Sequence, residues 1–352
     1  MTSCLVRVSV ASALLCVVQA AHARAATAQE RLYVASQEDA SVAILDAGSG
    51  EILETIRLDE MGFGAHAMPH HVVVEPDGSH WYVSLIGAGK VLKLDAGNRL
   101  VGQADVETPG MLALDPARGL VYASRSMAAV RPPARIAMID RERMASEEID
   151  VLFAHPHALA LDPLGGRIFT ASMAENQLAW VPLGRAEAEL LPIAGPMQMM
   201  VQLAVSPDGR WLVGGGQMTG DLLVWDISGS APERTGSVHL GGQPWDPVFT
   251  PDGREVWVPN LTESSVSVVD TSGWSVAGVI THPALAEPHG SGVDPAGRTV
   301  FVTGRNTKGT YGDGPAGTVV AIDVATRSVR WVATVGRYAA GIAVATPAPR
   351  PR

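Results

Sequence analysis

Short apolar runs alternating with tight polar turns fill this chain from about residue 30 onward. One stretch shows the unit most plainly. Pro69-His70-His71-Val72-Val73-Val74 is followed by Glu75-Pro76-Asp77-Gly78 and then by Trp81-Tyr82-Val83. Pro-Asp-Gly favours a tight turn, and the β-branched and aromatic residues on either side favour extended strands. No sustained 3.6-residue apolar spacing competes with this pattern, so helices are not expected to build the fold.

The unit recurs. Apolar or aromatic triplets fall at Leu32-Tyr33-Val34, Trp81-Tyr82-Val83, Val121-Tyr122-Ala123, Ile168-Phe169-Thr170, Trp211-Leu212-Val213, Val256-Trp257-Val258 and Val300-Phe301-Val302. Their central residues are 49, 40, 47, 43, 45 and 44 positions apart, the period of a β-propeller blade. Every triplet but the first follows an apolar strand and a turn. A seventh inner strand, Gly341-Ile342-Ala343-Val344, stands alone near the carboxyl end. The two incomplete units complement each other. The pattern therefore predicts an all-β, seven-bladed β-propeller whose last blade is closed by the N- and C-terminal strands, leaving no open sheet edge. Third strands end in aspartate (Asp46, Asp95, Asp140, Asp226, Asp270, Asp323), a residue that bonds its own turn backbone.

Composition narrows the setting. Residues 1–28 read as a secretory signal, with Arg7 before the apolar run Val8 to Ala20 and small residues at Ala21-His22-Ala23 and Ala26-Thr27-Ala28. The propeller is expected over 29–345, and the Pro- and Arg-rich 346–352 as a disordered tail. This predicts a periplasmic or secreted protein with no membrane span. Cys4 and Cys16 both lie in the signal, so the mature chain has neither disulfides nor thiolate ligands. A formal charge of −10 without a basic stripe argues against a nucleic-acid partner.

The phrases LYVASQEDASVAILDAGSGEILETI, HHVVVEPDGSHWYVSLIGAGKVLKLD and EVWVPNLTESSVSVVDTSG resemble the YVTN/YncE-like family of secreted seven-bladed propellers. The resemblance spans the mature chain and implies the fold. It does not imply one activity, because this architecture hosts binders, scaffolds, lactonases and metalloenzymes.

Alignment of the inner strands places His70, Gly110, His157, Val201, Trp245, His289 and Ala340 at one level of the channel mouth. His70, His157 and His289 thus come from three blades to one ring, each preceded by proline. His71, Asp246 and Glu287 lie within a few residues, and Met200 falls nearby. Imidazole and thioether without cysteine suit copper or another divalent metal held by His70, His71, His157, His289 and Met200. The ring is similar to a reduced version of the nitrous-oxide-reductase-type propeller, with fewer histidines and no cupredoxin domain. The other reading gives these histidines a structural role, bonding between neighbouring blades.

Two long loops, 125–135 and 304–317, are expected to border the same mouth. Arg125, Arg305, Asn306 and Tyr338, with Trp245, Asp246 and Glu287, are candidates for binding a ligand there. The expected partner is a small molecule or a protein at the mouth, and the expected state is a monomer. No nucleophile elbow, phosphate-cradling loop or His-Glu-x-x-His motif is found. The leading reading is a binding or interaction module. A metal-dependent oxidoreductase and a lactonase-like hydrolase, with a mouth histidine and Glu287 as acid and base, are the alternatives.

Overall fold

Each apolar triplet forms the second strand of a four-stranded antiparallel sheet, and among the described residues there are seven such sheets. The computed structural model describes residues 30–162, 164, 166–183 and 187–345. The expected signal at 1–28, with both cysteines, and the tail at 346–352 lie outside the described residues.

Burial explains why the triplets stand out. Trp81, Tyr82 and Val83 are all buried, as are Val256, Trp257 and Val258. A strand in the middle of a sheet that is covered on both faces has no solvent side, so alternation gives way to a continuous apolar run. Outer strands are covered less. Ile52 and Leu53, Leu100 and Val101, and Val276 and Val279 are exposed.

The first complete blade runs Pro69–Val74, His80–Leu85, Lys90–Asp95 and Leu100–Asp105 from the channel outward. Five more follow in chain order. The seventh is composite: Ala339–Ala345 is its inner strand, and Arg31–Ser36, Ser41–Asp46 and Ile52–Arg57 are the other three. Leu32 pairs with Val344 and Tyr33 with Ala343, so the two ends close the ring as the pattern predicts.

The core is a set of wedges between blades. Tyr33 of the seventh blade packs on Trp81 of the first, ring centres 5.1 Å apart. Phe169 and Trp180 meet Leu203, Leu223 and Trp225 between the third and fourth. Each fully buried side chain of this size contributes roughly 1.5–3 kcal/mol. Asp46, Asp95, Asp140, Asp226, Asp270 and Asp323 each accept backbone N–H groups of their own turns, the structural role expected of them. No helix among the described residues is long and apolar enough to cross a membrane.

Candidate functional site at the channel mouth

A residue shortly before each inner strand is tied to the loop that joins strands two and three. Ile86, Ser126, Met173, Met218, Leu261, Arg305 and Gln37 donate their N–H groups to the carbonyls of Met68, Thr108, His155, Gln198, Gln243, Glu287 and Tyr338, at 2.7–3.1 Å. Both sets of segments therefore share one face, the mouth. Met68, Thr108, His155, Met199, Glu287 and Tyr338 all hold φ between 44° and 56°, a sparsely populated conformation for non-glycine residues.

Just below, each inner strand carries one residue too many for its partner. Register shifts fall at 70–71, 110–111, 157, 201–202, 289–290 and 340–341. In the fifth blade a lone bridge from Pro244 to Asn260 precedes pairing at Val248, leaving Trp245 and Asp246 outside the ladder. Such bulges re-aim side chains. Here successive residues reach the channel at two levels, His70 above His71 and Trp245 above Asp246.

Second-strand hydroxyls hold the bulges. Ser84 accepts the His71 N–H at 3.1 Å and donates to the Gly110 carbonyl of the next blade at 2.7 Å. Thr303 accepts from Gly290 N at 2.8 Å and donates to the Ala340 carbonyl at 2.7 Å. Neighbouring backbones approach so closely that a Cβ at Gly290 would lie 2.3 Å from the Ala340 oxygen.

His70 meets both of the other upper-level histidines. His70 lies with its ring centre 5.8 Å from that of His157 and 5.8 Å from that of His289, and all three are buried. His157 Nδ1 donates to the Arg125 carbonyl at 2.8 Å, and His70 Nδ1 lies 3.3 Å from Gln37 Oε1. These contacts put the proton on Nδ1 and leave Nε2 as an acceptor. His70 Nε2 is buried without a hydrogen-bond partner, and the buried ring nitrogens of His289 make no close hydrogen bond, with the Ala340 carbonyl beside them. Burial holds His157 neutral, its pKa lowered to about 4, and pushes His70 and His289 well below the usual range.

Beside His70 and His289 is a small, partly enclosed space, about 10 Å³ for the centre of a water molecule, the size of a single water or ion site. His70, His71, Gln202, Trp245, Asp246 and His289 help line it. The lower-level groups serve the unpaired edges of neighbouring blades. His71 Nδ1 accepts Leu112 N–H, Gln202 Oε1 accepts Leu159 N–H, and Asp246 Oδ2 accepts Ser291 N–H, at 3.0–3.2 Å. Burial raises the Asp246 carboxyl to about 7.

Above the histidines the mouth has two unlike sides. On one, Arg305 lies with its guanidinium carbon 4.7 Å from the centre of Tyr338 and 5.8 Å from that of Trp245. It donates to Tyr338 Oη at 3.1 Å and stands 3.7 Å from Glu287 Oε1, while its Nε is buried without a partner. Burial works to raise the Glu287 carboxyl, but hydrogen bonds from Thr307 and the charges of Arg305 and Lys308 hold it below the usual range. Trp245 stacks on His289 at 4.9 Å. The other side is apolar: Met173, Val201 and Leu261 cluster with Trp245, with Met127 and Met199 packed against them.

The structure thus brings His70, His157, His289, Trp245, Asp246, Glu287, Arg305 and Tyr338 to one region. It places four other candidates differently. Arg125 is buried rather than on the rim, its guanidinium donating to the carbonyls of Arg135 and Glu107 and pairing with Glu148. Asn306 is buried and knits its own loop, donating to the carbonyls of Tyr311, Gly314 and Ala316. Met200 packs in the wedge between the third and fourth blades, away from the imidazoles. His71 faces the same space, but its Nδ1 lone pair is engaged by Leu112, so its other nitrogen carries the proton and cannot bind a cation as a neutral imidazole. As the side chains stand, no three His, Cys, Asp or Glu groups among the described residues close round a metal position.

Sequence reasoning missed the hydroxyl latches and two methionines of the mouth, Met127 and Met173. Ser84, Ser124 and Thr303 each stand directly after a triplet, a signal available in the periodicity. Met127 and Met173 sit at the start of second-to-third-strand loops, positions weighed only for polar groups.

No protein-family model matches the chain. Among curated proteins, a 6-phosphogluconolactonase of Erwinia tasmaniensis is 23% identical over 262 residues, covering 67% of this chain and 77% of that one. Among solved structures, hydrazine synthase of Kuenenia stuttgartiensis aligns with a TM-score of 0.60 at 21% identity, over 73% of this chain and 76% of that one. The periplasmic gluconolactonase of Pseudomonas aeruginosa aligns with a TM-score of 0.70 at 16% identity, over 91% and 99%. At these identities the likeness shows the propeller fold.

Proposed function

We propose that this protein is an exported binding module that takes a small polar, anionic ligand at the mouth of its channel. The observation that supports this reading is the setting of Arg305. An arginine held beside two aromatic rings is pre-organised, so little side-chain freedom is lost when it meets an oxygen anion. Its carboxylate neighbour stands at 3.7 Å rather than in a tight fork, and its Nε has no partner. Donor capacity therefore remains for a ligand, with the Trp245 face beside it and the methionine side opposite. Export rests on the apolar amino-terminal segment and on the resemblance to secreted YVTN/YncE-like propellers.

A lactonase-like hydrolase is the second reading, favoured by the two lactonase relatives. In it Arg305 would hold the anionic group of a sugar-acid lactone. Glu287, kept as a carboxylate, would draw the proton from an attacking water and pass it to the departing ring oxygen, because burial keeps the ring histidines neutral.

The test uses 6-phosphogluconate and its δ-lactone. Calorimetric binding of 6-phosphogluconate that is lost in Arg305→Gln supports a site at the mouth. Lactone turnover above the spontaneous rate, also lost in Arg305→Gln, selects the hydrolase. Wild-type protein that neither binds nor turns over these or the unphosphorylated pair sinks the sugar-acid reading.

A further inference from the structure

We infer that His70, His157 and His289 together form a binding site for one divalent transition-metal ion inside the channel, below the mouth. The site does not depend on the proposed ligand above it.

The inference starts from lone pairs. Hydrogen bonds to Gln37 Oε1 and the Arg125 carbonyl orient His70 and His157 through Nδ1. A carbonyl behind the imidazole is the usual device for fixing a ring so that Nε2 can coordinate. His289 has the Ala340 carbonyl beside it but makes no close hydrogen bond at either nitrogen, His70 Nε2 has no hydrogen-bond partner, and all three rings are at least nine-tenths buried. Proteins seldom leave buried polar atoms unmatched. What these nitrogens have in common is the capacity to give an electron pair, and the species that accepts several such pairs at one point is a cation.

Geometry sets the size of the ion. Two imidazoles bound at about 2.0–2.1 Å to a three-coordinate metal have ring centres about 5.5 Å apart. The two ring separations at His70 are 5.8 Å. For the two pairs that include His70, coordination therefore requires the rings to close in by a few tenths of an ångström, next to the space that His70 and His289 help line. Asp246, on the wall of that space, adds a carboxylate whose hydrogen-bond partner is the Ser291 N–H. Neutral imidazoles with a carboxylate near, and no thiolate, favour Cu²⁺, Zn²⁺, Ni²⁺ or Co²⁺ over Ca²⁺ or Mg²⁺. His71 takes no part, because its Nδ1 is occupied by Leu112.

The experiment is a titration of untagged, chelator-treated protein with Co²⁺, followed by displacement with Zn²⁺. One Co²⁺ per chain, with visible d–d bands of a low-coordinate nitrogen site that Zn²⁺ abolishes, is the expected result. His70→Gln and His289→Gln should each weaken binding at least 100-fold, while His239→Ala, an exposed histidine beside Asp221, should leave it unchanged. Should the variants fail to fold, long-range ¹H–¹⁵N spectra of the wild-type imidazoles decide: Zn²⁺ should move three Nε2 resonances and leave three protonated Nδ1. No stoichiometric Co²⁺, binding unaffected by both substitutions, or imidazole spectra unmoved by Zn²⁺ would overturn the site and return the cluster to a water-bridged structural role.

Discussion

The Thr303 hydroxyl donates to the Ala340 carbonyl at 2.7 Å across the seam between the sixth and seventh blades. The same oxygen accepts the Gly290 N–H at 2.8 Å, so one side chain pins the bulge of its own blade and the inner strand of the next. Thr303→Val keeps the shape and strands both backbone groups. A loss of about 1–3 kcal/mol is expected. Thr303→Ser should recover most of it. Urea denaturation of the three proteins measures this, and a valine variant within 0.5 kcal/mol of wild type would show that the latch carries no weight.

Arg125 is a strut. Its guanidinium is buried and serves two carbonyls and Glu148, so Arg125→Met should cost about 2–4 kcal/mol through stranded acceptors. Affinity for a mouth ligand should stay within threefold of wild type. A stable variant with impaired 6-phosphogluconate binding would restore the arginine to the rim.

Glu287 separates the two functional readings. In a hydrolase that uses it as base, Glu287→Gln should lower kcat by at least 100-fold with little change in KM. In a pure binding site the same change removes a negative neighbour of Arg305, and affinity for an anion should hold or rise. Steady-state kinetics with the δ-lactone and calorimetry with the acid give the two answers.

The channel should make the apo-protein acid-sensitive. His71 and His157 are each lowered to about 4 from the ordinary 6.5, first by burial. Between those values the unfolded chain binds more protons than the folded one, so stability falls as pH drops from 6.5 towards 4. The limit is about 3 kcal/mol for each imidazole. Asp246 acts in the opposite sense: raised to about 7, it is most at ease protonated, and its contribution is lost as pH rises from about 4 through 7. Asp246→Asn should therefore raise the melting temperature at pH 8 and leave it nearly unchanged at pH 4. Thermal melts from pH 4 to 8 test both, and a wild-type profile flat from 6.5 to 4 would contradict the burial argument.

The strands and their sevenfold order were legible because second strands are covered on both faces and carry unbroken apolar triplets. The ring of His70, His157 and His289 was legible because its members keep a constant offset from the following turn. The fates of Arg125 and Asn306 were not. A loop's position tells which face it lies on, but whether its side chain looks into the mouth or back into the blade depends on which carbonyls lack donors. For Arg125 those are Glu107 and Arg135, and for Asn306 Tyr311, Gly314 and Ala316. His71 was misread for a related reason. Its tautomer is set by the Leu112 N–H of the next blade, a contact 41 residues away that no local pattern encodes.

The composite seventh blade also constrains how the molecule can assemble. Leu32 and Val344, joined in one ladder, stand over three hundred residues apart, so the loop that they close spans nearly the whole domain. Contacts of that range form late. Until Ala339–Ala345 arrives, Arg31–Ser36 presents a bare strand edge of the kind that recruits any extended peptide. A chain truncated before residue 339 should therefore self-associate through that edge. A synthetic peptide spanning 339–345, added in trans, should compete with that association and restore the ring as a two-piece protein.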